Sequence, residues 1–239
     1  MRLDKFLAET GKGTRSEVKK LISAGRVTVN GAAARDSGLK IDENADDISV
    51  DGIRVAYADF EYYMLNKPRG VISASRDNRK NSQVCVTDLI REKIRSDLFP
   101  VGRLDKDTEG LLIITNDGEL AHRLLSPKKH VDKTYYAELD GRLMRESADR
   151  IMAGVDIGDE KPTLPCLINI LSENSCLVTI REGRYHEIKR MFRTEGRKVD
   201  YLKRISMGPI SLDAELAPGE YRRLTEEEIA VLKVFDRKM

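Results

Sequence analysis

The 239-residue chain is poor in the residues that build metal or disulfide scaffolds. Its three cysteines, Cys85, Cys166 and Cys176, are odd in number, widely spaced and form no CxxC pair. The three histidines, His122, His130 and His186, show no ligand spacing either. Neither a structural zinc nor a disulfide framework is expected, and the thiols read as buried or incidental. No apolar run approaches the roughly 20 residues that a bilayer-spanning helix needs. The opening MRLDKFLAE carries acids and no apolar signal core, so no secretory peptide is expected and a cytoplasmic location follows. A dinucleotide glycine fingerprint and a P-loop are both missing, and no cofactor is expected. Net charge is nearly absent too, with 42 Lys and Arg against 40 Asp and Glu.

That balance hides a segregation. Residues 1–35 hold eight Lys/Arg against three acids, whereas residues 36–60 hold two against seven. A basic face is concealed inside a neutral total. With 40% apolar and 34% charged residues, the chain is long enough for one large or two modest globular domains.

The N-terminal stretch alternates helical and turn signals. Leu3, Phe6 and Leu7 share a helical face, and Gly11 and Gly13 break that helix. Thr14 with Glu17 reads as a capping box for a second helix striped by Val18, Leu21 and Ile22. Arg26-Val-Thr-Val-Asn30-Gly31 then alternates as a strand ending in a tight-turn pair. Two helices, basic residues and a hairpin within about 55 residues resemble the S4 RNA-binding fold. That resemblance makes Arg2, Lys5, Arg15, Lys19, Lys20 and Arg26 the candidate phosphate contacts. Binding of this kind gains mainly from counterion release and weakens steeply with salt. The acids around Asp42 to Asp47 are expected to face away from RNA, and Ala56 to Glu61 to form a linker.

The most informative string is GRLDKDTEGLLIITNDG at 102–118. Asp105 and Asp107 lie among Arg103, Lys106 and Thr108 in a short polar turn. Leu111 to Ile114 follows, a buried strand by its shortness and its Asn-Asp-Gly ending. Upstream, Tyr63 to Leu65 reads as a strand closed by the NKPRG loop, and Val86 to Ile94 as a helix. Downstream, Glu119 to Leu125 is a short helix, and Lys128, Lys129, His130 and Lys133 make a basic loop. Asp132 to Leu139 alternates as a strand, which puts Tyr135 and Tyr136 on opposite faces. Residues 181–204 carry nine Lys/Arg against four acids, a second basic patch that includes Arg184 and Arg193. Within it, Ile188, Met191 and Phe192 mark the buried side of a helix.

These motifs, in this order, resemble the pseudouridine synthases of the branch that modifies ribosomal RNA and carries an N-terminal S4 domain. The resemblance implies an α+β fold: an S4-like RNA-binding module at 1–58 and a synthase domain at 62–239. The larger domain should be a mixed, mostly antiparallel sheet with packed helices and a cleft across it. It implies Asp105, directly after Arg-Leu, as the essential acid; spacing alone leaves Asp107 open. Tyr135, in the Lys-x-Tyr element, is implied to stack on the target base. Lys189 is implied as the cation paired with the acid, with Arg190 the fallback, and Arg103 contacts phosphate or backbone. The family usually has Gln where this chain has Glu187, an added charge that bears on nearby RNA contact and does not touch the proposed catalytic set.

The expected reaction turns one uridine of small-subunit (16S) ribosomal RNA into pseudouridine, without cofactor or metal. The absence of a long basic tail after Met239 and the ending LAPGEYRRLTEEEI lean towards the small subunit. The carboxylate could attack C1′ of the ribose, attack C6 of the base, or assist proton removal from C2′. The alternatives are a large-subunit (23S) synthase and a non-catalytic ribosomal RNA-binding assembly factor. A metal-dependent nuclease is weaker, since the carboxylates form no metal cluster. The expected partner is ribosomal RNA, naked or in a partly assembled small subunit, met by a monomer.

Overall fold

The computed structural model describes residues 1–76, 83–126, 129 and 131–235. Chain contacts divide the protein into two units, Met1–Glu61 with Ile90–Leu98, and Tyr62–Leu89 with Phe99–Met239.

In the first unit, α1 (Leu3–Glu9) and α2 (Arg15–Ser23) precede four short strands, β1 (Val27–Val29), β2 (Ala32–Ala33), β3 (Ile48–Val50) and β4 (Ile53–Arg54). The capping box forms. The Thr14 hydroxyl accepts from the Glu17 amide at 3.3 Å, and the Glu17 carboxylate accepts from the Thr14 amide at 2.7 Å. Such a cap is worth about 1 kcal/mol. Leu3, Phe6, Leu7, Val18, Ile22 and Ile48 form the core. The strands pair antiparallel in the order β2-β1-β3-β4. Asn30 and Gly31, with φ of 52° and 79°, supply the two left-handed residues that a tight hairpin needs.

The helix expected over Val86 to Ile94 does not form; only a 3-10 turn, Val86–Asp88, is present. Side chains take the backbone donors that a helix would use. Glu61 accepts from the amides of Ile94 (2.9 Å) and Arg95 (2.7 Å). Arg95 in turn pairs with Glu9 and Asp97. These contacts bind Ile90–Leu98 into the first unit rather than the second.

The second unit is built on one mixed sheet. Its strands are β5 (Tyr62–Lys67), β6 (Phe99–Pro100), β7 (Glu109–Thr115), β8 (Lys133–Leu139), β9 (Leu167–Ile170), β10 (Ser175–Ile180), β11 (Val199–Met207), β12 (Ile210–Ser211) and β13 (Tyr221–Arg223). The main order is β13-β5-β7-β11-β8-β10-β9, with β6 on β7 and β12 on β11. Among the described strands only β7 and β11 run parallel, meeting at Glu109–Lys203 and Gly110–Arg204. Helices α3 (Gly118–Leu125), α4 (Arg145–Met152), α5 (Glu187–Thr194) and α6 (Glu226–Val234) complete the unit. Leu111 to Ile114 are fully buried, as a central strand covered on both faces demands. β8 instead alternates buried and half-buried residues. Met64, Leu111, Ile113, Leu120, Leu124 and Met207 share one core cluster. No helix among the described residues is long and apolar enough to cross a membrane.

Candidate active site

The loop entering β7 carries Asp105, and the loop leaving β5 holds it in place. Ser73 Oγ donates to the Leu104 carbonyl (2.9 Å) and accepts from the Leu104 amide (3.0 Å). The Gly70 amide donates to Lys106 O at 2.8 Å. Lys67, fully buried at the end of β5, donates through Nζ to Thr108 O (2.9 Å), Pro68 O (3.1 Å) and Lys106 O (3.3 Å). Burial drives its ammonium down to about 8, against the pull of Asp107, Glu109 and Asp105. The NKPRG loop thus works as a clamp on the aspartate loop.

Helix α5 brings the cation. Lys189 Nζ lies 3.2 Å from Asp105 Oδ2 and 2.5 Å from Asp107 Oδ1, so one ammonium bridges both carboxylates. For Asp107, burial would raise the carboxyl, but the hydrogen bond and charge of Lys189 outweigh it and hold the group below its usual range. His186 precedes the helix in a left-handed backbone conformation (φ 50°, ψ 34°). Its Nε2 stands 3.6 Å from Asp105 Oδ1. Arg190, one residue on, points elsewhere: its guanidinium donates to Ile157 O and pairs with Asp159. Successive helical residues are rotated by about 100°, so the face that buries Ile188, Met191 and Phe192 leaves one cation for the carboxylates.

Tyr135 is buried, 7% exposed, and Tyr136 sits on the opposite face, donating to Glu138 at 2.8 Å. Asp105, Lys189, Tyr135, Ile180 and Leu202 line one recess of about 60 Å³. That recess shares Arg103, Leu104, Asp105, Arg184 and His186 with a cleft of about 1010 Å³. Burial pushes the Tyr135 hydroxyl up, opposed by the neighbouring Arg204 guanidinium. Arg204, 1% exposed, is the cross-strand partner of Tyr135 and donates through Nε to Leu111 O at 2.8 Å. Sequence reading left Arg204, His186 and the clamping role of Lys67 unassigned. Each stood inside a motif the sequence singled out, His186 and Arg204 in the basic segment 181–204 and Lys67 in NKPRG, but nothing local marked its contact.

The remaining candidates are spread over both units. Arg15, Lys19 and Lys20 are exposed. Arg2 is paired with Asp4, Lys5 approaches Glu9 at 3.7 Å, and Arg26 is bidentate on Asp51. Arg103, Lys129 and Arg193 are exposed, and Lys128 lies outside the described residues. Arg184 is committed to protein contacts, donating to Glu182 and to the carbonyls of Lys161 and Pro162. The Glu187 carboxylate is buried, 5% exposed, accepts from the Arg184 amide at 2.8 Å and lines the same recess as Asp105 and Tyr135. All three cysteines are free and buried.

The sequence matches the family RNA pseudouridylate synthase over residues 61–194, and the S4 domain over residues 1–47. The chain belongs to the RNA pseudouridylate synthase family. The synthase is 49% identical to an RNA pseudouridine synthase of Bacillus subtilis, covering 97% of this chain and 98% of that one. It is 40% identical to the ribosomal small subunit pseudouridine synthase A of Escherichia coli, covering 96% and 99%. A crystal structure of a pseudouridylate synthase superposes with a TM-score of 0.68 at 35% identity, covering 97% and 99%.

Proposed function

We propose that this synthase converts one uridine of small-subunit (16S) ribosomal RNA to pseudouridine, with Asp105 as the reacting carboxylate. The observation that carries the reading is the meeting of Asp105, Lys189 and Tyr135 around one recess at the edge of a large cleft. In the reaction the N1–C1′ bond breaks, the uracil turns, and a C5–C1′ bond forms. C5 gives up its proton and N1 gains one, so no oxidant or group donor is consumed. Lys189 orients the Asp105 carboxylate and balances its charge. Tyr135 packs against the detached base, and a tyrosine hydroxyl there can pass a proton. Asp107 shares Lys189 but is half exposed, and serves to hold that cation in place.

Small-subunit RNA is favoured because relatives matched over nearly their full length carry that activity in their names. The target uridine must leave its stack, at a cost of a few kcal/mol. Contacts from Arg15, Lys19 and Lys20 in the module at 1–58, and from Arg103, Lys129 and Arg193 in the domain at 62–239, offset that cost. The substrate is ribosomal RNA, naked or in a partly assembled subunit, and the enzyme works as a monomer in the cytoplasm.

The test is to incubate wild-type and Asp105→Asn protein with unmodified small- and large-subunit RNA and with assembling particles. Pseudouridine is then mapped by carbodiimide labelling and primer extension. One new stop in small-subunit RNA, with wild type only, is expected, while the variant still binds RNA. A stop in large-subunit RNA would reassign the substrate. A stop with the Asn variant would remove Asp105 from the chemistry.

A further inference from the structure

Tyr185 is 75% exposed, more than any other large apolar or aromatic residue exposed on the described surface. An aromatic ring left so open at a catalytic cleft has a limited set of uses. Its ring is stacked on the His186 imidazole, with centroids 3.9 Å apart and planes 18° from parallel. The stack is held from below. His186 takes the left-handed backbone conformation, which a β-carbon-bearing residue enters only at some cost. The Tyr185 carbonyl accepts from Arg190 Nη1 at 3.1 Å. One face of the ring is covered by the imidazole and the rest meets solvent.

Its position matters as much as its exposure. The imidazole beneath it stands 3.6 Å from Asp105, so a single ring separates Tyr185 from the carboxylate. Both aromatic residues line the 1010 Å³ cleft, a space far larger than one nucleoside fills. Arg69, Arg103 and Lys106 line the same cleft and are exposed. None of the three makes a salt bridge with another described residue. A flat, exposed aromatic flanked by unpaired cations is the combination that binds single-stranded nucleic acid, by stacking a base and pairing with phosphates.

We propose that the Tyr185–His186 stack is a platform for the unpaired base adjacent to the target uridine. The inference rests on the function proposed above and deepens it, because it assigns the nucleotide beside the reacting one. With the uridine at Asp105, a neighbouring base lies flat on Tyr185, and Arg69, Arg103 and Lys106 meet the phosphates between and beyond them. The stacked neighbour cannot then reclaim the flipped uridine by restacking on it.

The test uses a short RNA spanning the mapped uridine, with an abasic nucleotide placed on its 5′ or its 3′ side, and wild-type, Tyr185→Phe and Tyr185→Leu protein. Because the side chain is exposed, both variants should keep the wild-type thermal melt, which circular dichroism checks. Because a base stacked on an aromatic side chain contributes directly to single-strand affinity, Tyr185→Leu should weaken binding of the intact RNA roughly tenfold while Tyr185→Phe matches wild type. On the RNA lacking the stacked base, wild type and Tyr185→Leu should bind alike. A 2-aminopurine at that nucleotide should be quenched by wild type and not by Tyr185→Leu. Equal affinity of Tyr185→Leu for the intact RNA would overturn the platform, as would a loss that persists on both abasic RNAs. Pseudouridine formation by wild type in the same tubes separates that failure from failure of the function, which would show as no pseudouridine at all.

Discussion

Replacing Gly110 with alanine should damage this enzyme more than any other single methyl group near the site. Gly110 has a φ of +100° and faces Arg204 across the parallel β7–β11 pair. An added Cβ would lie 2.2 Å from Arg204 O, 2.8 Å from Arg204 N and 2.9 Å from Lys203 Cγ. Two costs follow. An L side chain at such a φ costs about 1–3 kcal/mol. Overpacking against backbone that cannot rotate away adds about 1–3 kcal/mol. The sum, roughly 2–6 kcal/mol, is a large part of the 5–15 kcal/mol that holds a typical domain together. It corresponds to a fall in Tm of roughly 5–20 °C for a unit of this size. Near-ultraviolet circular dichroism follows the unit directly, since seven of the eight tyrosines belong to it. Activity should fall further than stability, because Arg204 lies opposite Tyr135 and the Asp105 loop enters the sheet beside Gly110. Gly118→Ala is the control, since its Cβ would meet nothing within 4 Å. A Gly110→Ala protein that melts with wild type and keeps its rate would refute the argument.

Other perturbations address the charges. Lys189→Met leaves Asp105 and Asp107 facing each other without their shared cation. Single-turnover pseudouridine formation should drop about 10²–10³-fold, as when one preorganised donor is removed, with Lys189→Arg recovering part of it; a near-normal rate for the Met variant would count against the pairing. Burial raises the Glu187 carboxyl, so its share of stability is present below its unfolded value and is lost as pH rises through the folded one. Glu187→Gln should thus be more stable at pH 7, by about 1 kcal/mol, with the gap closing near pH 4 in urea titrations. A gap that widened on acidification would reverse the sign. Lys67 titrates in the folded state at about 8, below its ordinary 10.5, so its burial penalty is complete below pH 8 and relieved above it. Between pH 7 and pH 10 that relief amounts to ~2 kcal/mol of stability, which Lys67→Met should lack. Parallel pH–stability curves for the two proteins would show that Lys67 does not titrate there.

Much of the architecture was legible because it depends on local rules. The Thr14–Glu17 box, the Asn30-Gly31 turn, the unbroken apolar run of β7 and the alternation of β8 are set by neighbours in sequence. The one misread helix, over Val86 to Ile94, failed where a distant residue intervened, since Glu61 takes the amides that helix would have used. The same division holds at the site. The sequence by itself determined that an Arg-Leu-Asp turn precedes a buried strand and that a basic helix follows later, with Lys189 and Arg190 both available. The family resemblance ranked Lys189 before Arg190; packing brings Lys189 to Asp105, because the burial of Ile188, Met191 and Phe192 fixes the rotation of α5 about its axis. Packing likewise buried Glu187 against the Arg184 amide, buried Lys67 beneath the aspartate loop and stacked Tyr185 on His186. Each of these depends on segments far apart in the chain meeting at one point, which no local pattern encodes.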